Sequence, residues 1–217
     1  MKTLQMQKRG FMIALAVLSA AHINPVGAED GHWRLAKDDI GIQVYHRVSE
    51  GLSLREFKSI TRVKAPMDRV LELFEDAGRV HEWFSKVKEF KEVGENNSAE
   101  GFFYLQHQLP KPVTNRDVLL YRIKKADPDT KEVTYTFTAV SDIYPVEENV
   151  VRMALLKSVW RFTPAADGAV DVYYQLYVDP EGKIPKWLVN MAAVRFPFFS
   201  LKRFKILAEG GKVNYKG

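Results

Sequence analysis

Apolar positions along this chain switch between two periods, and the switches mark its elements. Ile42 to Val48 (IQVYHRV) alternates as a half-buried strand requires. Leu54 to Lys64 (LREFKSITRVK) alternates again, with Phe57, Ile60 and Val63 as its apolar positions. The step from 57 to 60 breaks strict period two and predicts a bulge. With Gly51 opening a turn between them, the two segments read as a hairpin. Upstream, Gly31 to Asp39 is a short amphipathic piece around Trp33 and Leu35, read as helix. Pro66 opens a helical texture in which Val70, Leu71, Phe74 and Ala77 follow helical spacing, Asp68 and Glu72 favour the early turns, and Gly78 is a stop. A second short helix is predicted over Val80 to Phe84.

Strand patterns then return at Val87–Val93, Gly101–Leu109, Val118–Ala126, Glu132–Val140, Val150–Phe162 and Val170–Asp179. Their connections carry turn residues, as in Asp127-Pro128-Asp129 and Ala166-Asp167-Gly168. A helix, two strands, helices, a long antiparallel series and a final helix predict a single α+β domain. Several strands do not alternate cleanly: Phe102 to Leu105 and Tyr173-Tyr174 put apolar or aromatic matter on both faces. That predicts a strongly curved sheet, with one face around a cavity and parts of the other under helices.

The final helix carries the functional expectation. Pro185 suits a first turn, where its missing N–H costs nothing. Trp187, Met191, Val194, Phe198 and Leu201 recur at steps of 4, 3, 4 and 3 and share a face. Pro197 removes one backbone hydrogen bond and is expected to bend the helix. A stripe this wide and bulky suits a lid over a hollow sheet.

Composition narrows the function. Lys2, Lys8 and Arg9 precede an apolar run from Phe11 to Ala21, and Val26-Gly27-Ala28 supplies small residues, which reads as a signal peptide over 1–28. The run is shorter than the about 20 residues of a membrane span. A folded domain over 29–210 and a tail over 211–217 follow. The leader holds three of the 32 basic residues and none of the 27 acidic ones, so the domain is nearly balanced and lacks the basic stripe of a nucleic-acid binder. Lys202, Arg203, Lys205, Lys212 and Lys216 leave room for transient contact with an anionic membrane surface. The sequence has no cysteine, which excludes disulfides and thiolate chemistry, and an exported chain without disulfides suits a bacterial periplasm. His46, His81 and His107 lack metal-binding spacing, and Ser158 lacks the glycine-flanked elbow of a hydrolase. Neither a metal, a cofactor nor an enzymatic activity is expected.

LPKPVTNRDVLLYR (Leu109 to Arg122) and DPEGKIPKWLVN (Asp179 to Asn190), with Asn115-Arg116-Asp117 and Ile184-Pro185-x-Trp187-Leu188 at their cores, resemble the START lipid-transfer domains of the helix-grip superfamily. The resemblance runs from about Trp33 to Glu209. It implies a helix-grip fold, in which a curved antiparallel sheet wraps a long C-terminal helix around one hydrophobic cavity holding a lipid, a sterol or another hydrophobic molecule. It also implies a gate made by the helix, with Pro197 inside it, and by the loop Ser141 to Asn149 (SDIYPVEEN), tipped by Tyr144 and Pro145. Some members set a carboxylate opposite an arginine in the tunnel; those positions correspond here to Gln106, which is uncharged, and Arg122.

Strand parity puts Arg116, Val118, Leu120 and Arg122 on one face, and Phe102, Tyr104, Gln106 and Gln108 on one face of the preceding strand. If both sets point inward, two readings stay open. Arg116 pairs with Asp117 or another carboxylate to brace the sheet, or Arg122 and Gln106 meet a ligand's hydroxyl, carboxylate or phosphate. Tyr104, Tyr135 and Phe137 on strands, and Trp187, Asn190, Met191, Val194 and Phe198 on the helix, complete the expected lining. A monomeric carrier is the first expectation; a cyclase-like enzyme of the same superfamily and a lipid-sensing module without transfer are the alternatives.

Overall fold

The computed structural model describes residues 33–48, 55–140, 144–182 and 184–213, and the expected signal peptide lies outside them. Ten strands and three α-helices follow in the order β1 (Arg34–Asp39), β2 (Ile42–Val48), β3 (Arg55–Val63), α1 (Met67–Glu75), α2 (Val80–Trp83), β4 (Val87–Val93), β5 (Glu100–His107), β6 (Asn115–Ala126), β7 (Val133–Val140), β8 (Val150–Arg152), β9 (Leu155–Pro164), β10 (Val170–Asp179) and α3 (Lys186–Ala208). The strands form one sheet in the order β1-β2-β3-β10-β9-β7-β6-β5-β4, antiparallel throughout, with β8 added in parallel to β6. The first three strands thus join the rest of the sheet where β3 pairs with β10, the last strand.

The first segment is a strand, not the helix its amphipathic pattern suggested. Ile40 (φ 49°) and Gly41 (φ 74°) both take positive φ, the two-residue turn that matches the twist of a hairpin, and β2 then satisfies the β1 backbone. A helix of this length has no such partner and is marginal alone. The expected bulge also moves. Register slips at Ala36 in β1, whereas β3 runs unbroken against both neighbours. Phe57, Ser59, Thr61 and Val63 are buried on one face, and Ile60 faces outward. The segment read as one strand over 150–162 divides at Met153-Ala154, because Met153 N–H donates to Asp117 O (2.8 Å) and draws β8 onto β6.

Helix α1 fills one end of the inner face. Its Phe74 ring lies 4.8 Å from Tyr135, 4.8 Å from Phe162, 5.2 Å from Trp160 and 5.8 Å from Trp83. Phe204, from the C-terminal half of α3, closes the cluster 6.3 Å away. At this end the grip is solid. Helix α3 packs along β2 and β3 and passes through Pro197 without ending. Ser200 Oγ donates to Phe196 O (2.7 Å) and accepts from the Ser85 N–H (2.9 Å), which ties the helix to the turn after α2.

Candidate functional site

At the other end of the inner face the packing is incomplete. A cavity of about 140 Å³ lies between the N-terminal half of α3 and the strands. From the strands it is lined by Phe57, His107, Arg116, Leu156, Tyr174, Leu176 and Val178, from the segments beside them by Leu109 and Met153, and from the turn after α2 by Phe84 and Ser85. From α3 come two adjacent rows at four-residue steps, Leu188, Ala192, Phe196, Ser200 and Val189, Ala193, Pro197. The hollow has a simple cause: Ala192, Ala193 and Ser200 are small where they face the sheet, so no side chain reaches across. A second void of about 70 Å³ shares Phe84, His107, Leu156, Tyr174 and Leu176 with the first. Rotation of those shared side chains would join the two. The larger one matches the about 150 Å³ cavity that accepts a benzene ring. A two-chain membrane lipid exceeds it.

Few polar groups interrupt the apolar wall. Arg116 is 3 % exposed, and its guanidinium donates to three main-chain carbonyls: Nε to Pro180 O (3.1 Å), Nη2 to Glu181 O (3.0 Å) and Nη1 to Thr114 O. It has no carboxylate partner among the described residues, and burial alone lowers its pKa. His107 stands directly across the ladder from Arg116. Burial pushes its imidazole down to about 4, so the ring is neutral near pH 7, and among the described residues Nδ1 has no hydrogen-bond partner. Tyr174 stacks on Trp160 at 3.8 Å, and burial raises its phenol; among the described residues its hydroxyl has no partner.

Of the residues expected from sequence, Arg116 and Pro197 line the larger cavity and Phe137 the smaller. Tyr104 and Gln106 do not. Gln106 pairs in register with Asp117 and Leu105 with Val118, so the inward parity is 103, 105, 107 on β5 and 116, 118, 120 on β6. The two sets taken together from sequence therefore lie on opposite faces. Arg122 does face inward, but at the far end, where its guanidinium sits 4.7 Å over Phe103 and donates to Asn97 O. Gln106 is too distant in register to share a ligand with it. Tyr135 belongs to the Phe74 cluster, with its hydroxyl on Glu75.

The helical stripe is displaced by about one residue. Trp187 is 59 % exposed, Met191 touches Arg195, and Val194 packs on the core. Phe198 is buried beneath Lys37, whose Nζ lies 4.2 Å from the ring. None of the four lines the cavity, and the Asn190 side chain lies outside the described set. His107, Tyr174 and the Ala192-Ala193 pair were not read as cavity wall; for the alanines the signal available was a pair of small residues in an otherwise bulky helix.

Tyr104 and Gln106 build something else on the outer face. Asp117, fully buried, accepts Arg152 Nε (2.8 Å) and Nη2 (2.9 Å), and the Tyr104 hydroxyl adds a third bond at 3.1 Å. This pairing excludes the Arg116–Asp117 brace, because adjacent residues of a strand point to opposite faces. Arg152 also donates to Tyr144 O (3.3 Å) and Pro145 O (2.9 Å). The Tyr144 ring rests 4.8 Å from Tyr104, and Gln106 Nε2 donates to Glu147 (3.0 Å). The expected gate residues Tyr144 and Pro145 are thus fastened to the face away from the cavity; residues 141–143 lie outside the described set.

Comparison with known proteins agrees with this architecture. The START domain family matches residues 18–209. An uncharacterized protein of Pseudomonas aeruginosa is 30% identical over 201 residues, covering 91% of this chain and 98% of that protein. The phosphatidylcholine transfer protein of Bos taurus is 26% identical over 167 residues, covering 74% of this chain and 76% of its own. The crystal structure of a STAR-related lipid transfer protein fragment from Xanthomonas axonopodis has a TM-score of 0.74 at 36% identity, covering 81% of this chain and 98% of that one. A curved antiparallel sheet gripping a long C-terminal helix, matched over most of its length in sequence and in fold, defines the kinship: this chain belongs to the START domain family.

Proposed function

We propose that this protein binds a lipid or another hydrophobic molecule in the cavity under α3 and carries it between apolar environments without chemical change. The observation that carries this reading is the apolar hollow between α3 and the sheet, in a family whose relatives include lipid-transfer proteins. Among the described residues the lining holds no carboxylate to work with His107 as an acid–base pair, which favours a carrier over a cyclase-like enzyme. A lipid leaving a bilayer starts in surroundings as apolar as the cavity, so its chain contributes little net free energy. Selection then rests on polar contacts and shape.

Entry is gated by α3 together with the segment over 141–149. Since Tyr144, Pro145 and Glu147 are fastened to the sheet, α3 is the side that moves. Trp187 and Val146 (65 % exposed) present apolar groups to solvent and support brief docking on a membrane surface. We further propose that the protein is exported, acts in the bacterial periplasm as a monomer, and uses neither a cofactor nor nucleic acid.

The 2.9 Å contact between Ser85 N and Ser200 Oγ makes this pair a candidate for an engineered disulfide in a cysteine-free chain. Liposome-to-liposome transfer by Ser85→Cys/Ser200→Cys should stall when oxidised and recover on reduction. Equal rates in both states would remove the helix gate. Failure of the unmodified protein to take up or transfer any labelled lipid would remove the carrier reading.

A further inference from the structure

The cavity is electrostatically one-sided. Its polar side chains are Ser85, His107, Arg116, Tyr174 and Ser200, and only Arg116 carries charge at neutral pH. The Ser200 hydroxyl accepts from the Ser85 main-chain N–H and donates to Phe196 O. The Arg116 guanidinium has five N–H groups, of which the carbonyls of Thr114, Pro180 and Glu181 engage three. Carbonyl oxygens satisfy donors but do not neutralise a charge. The carboxylate next in sequence, Asp117, is on the other face and is held by Arg152.

A charged arginine only 3 % exposed and without an anion beside it is costly, and such a site is completed by a counter-charge. The beginning of α3 adds to the field. Its N-terminus has no side-chain cap and no acid in the first turn, and Leu188 and Val189 of that turn line the same cavity. The positive end of a 23-residue helix dipole therefore lies at the wall that also holds Arg116.

From this we infer that the cavity selects amphiphiles bearing an oxyanion, a carboxylate or a phosphate on an apolar chain, with the oxyanion bound by Arg116. This inference rests on the carrier reading above and specifies its ligand class. Arg116 uses the two donors that no described residue engages and keeps its carbonyl bonds, so the anion completes the site without dismantling the loop at Pro180-Glu181. The chain of the ligand runs from Arg116 along Met153, Leu156 and Leu176 toward the smaller void. His107, neutral beside Arg116, leaves the guanidinium without competition for the anion.

The test compares dodecanoate, dodecyl phosphate and dodecanol on the delipidated full chain at pH 8, by calorimetry or by displacement of a fluorescent probe. A charge-assisted pair of hydrogen bonds predicts that at least one anion binds about tenfold or more tightly than the alcohol. The two anions separate fatty acid from phosphate as the source of the oxyanion. In Arg116→Gln the anion-to-alcohol ratio should fall to about one through loss of anion affinity, and Arg116→Lys should keep part of the preference. Should Arg116→Gln not fold, Arg116→Lys and the unmodified protein still decide the matter. Alcohol bound as tightly as both anions, or a preference that survives Arg116→Gln, overturns the oxyanion site and leaves a carrier standing. Binding of none of the three overturns the carrier reading with it.

Discussion

Two arginine–aspartate pairs in this protein share a geometry and differ in surroundings, which makes a controlled test of what burial does to an ion pair. Arg152 meets Asp117 through Nε and Nη2 at 2.8 and 2.9 Å, and Arg62 meets Asp171 the same way at 2.7 and 2.8 Å. Side-chain exposure is 16 and 0 % in the first pair, and 52 and 45 % in the second. Truncating Arg152 to alanine leaves a carboxylate with no access to water and only the Tyr104 hydroxyl to stabilise it. Removing one partner of a buried pair costs about 3–5 kcal/mol. At about 2 kcal/mol per molar urea, that lowers the unfolding midpoint by about 2 M. In a domain of this size it lowers Tm by roughly 10 °C. Truncating Arg62 exposes Asp171 to water that already screens it and should barely move either midpoint. Urea unfolding followed by tryptophan fluorescence reads both. Arg152→Ala at the unmodified midpoint, or Arg62→Ala equally destabilised, would refute the claim that burial decides the difference. Adding Asp117→Asn to Arg152→Ala should restore part of the loss, because it removes the stranded charge.

The remaining expectations concern acid, core and cavity. The folded pKa of His107, about 4, lies below the ordinary 6.5, so the unfolded chain binds the extra proton first and stability falls as pH drops from about 6.5 to about 4. The groups facing the ring are Arg116 and the Lys86 main chain, and the loss amounts to about 3 kcal/mol at most. Urea midpoints at stepped pH should show that slope in the unmodified protein and a shallower one in His107→Gln. Phe74→Ala should cost about 3–5 kcal/mol by urea unfolding, since the ring joins α1, the sheet and α3, and a loss below 1 kcal/mol would mean the cluster relaxes around the gap. Ala193→Leu should fill the hollow and reduce uptake of labelled lipid about tenfold while moving stability by less than about 1.5 kcal/mol. Undiminished uptake would place the ligand elsewhere.

The strands from Val87 to Asp179 and the final helix were legible because their apolar periods are long and their turns carry Gly, Asp and Pro. The first element was not, because Arg34–Asp39 is mostly exposed and takes its conformation from β2 rather than from its own pattern. Within the site, parity along β5 and along β6 was readable strand by strand, but the phase between them was not. Opposite Asp117 stands Gln106, and that one-residue difference moves Gln106 and Tyr104 from cavity to outer face. The inward face of α3 was hidden for a related reason. A helix apolar nearly all round offers two adjacent stripes of equal merit, and only the packing against β2, β3 and the cavity chooses between them.

By itself the sequence determined the α+β class and the order of the elements after the first, from local period and turn chemistry, while the helix-grip architecture came from the resemblance of its motifs to the START domains. Tertiary structure alone decided that Arg116 faces the hollow while Asp117 turns away to Arg152, and that Ala192 and Ala193 rather than Trp187 and Met191 roof the cavity. Periodicity fixes which residues share a face. It does not fix which face meets a partner, because that is set by contacts between segments far apart in the chain.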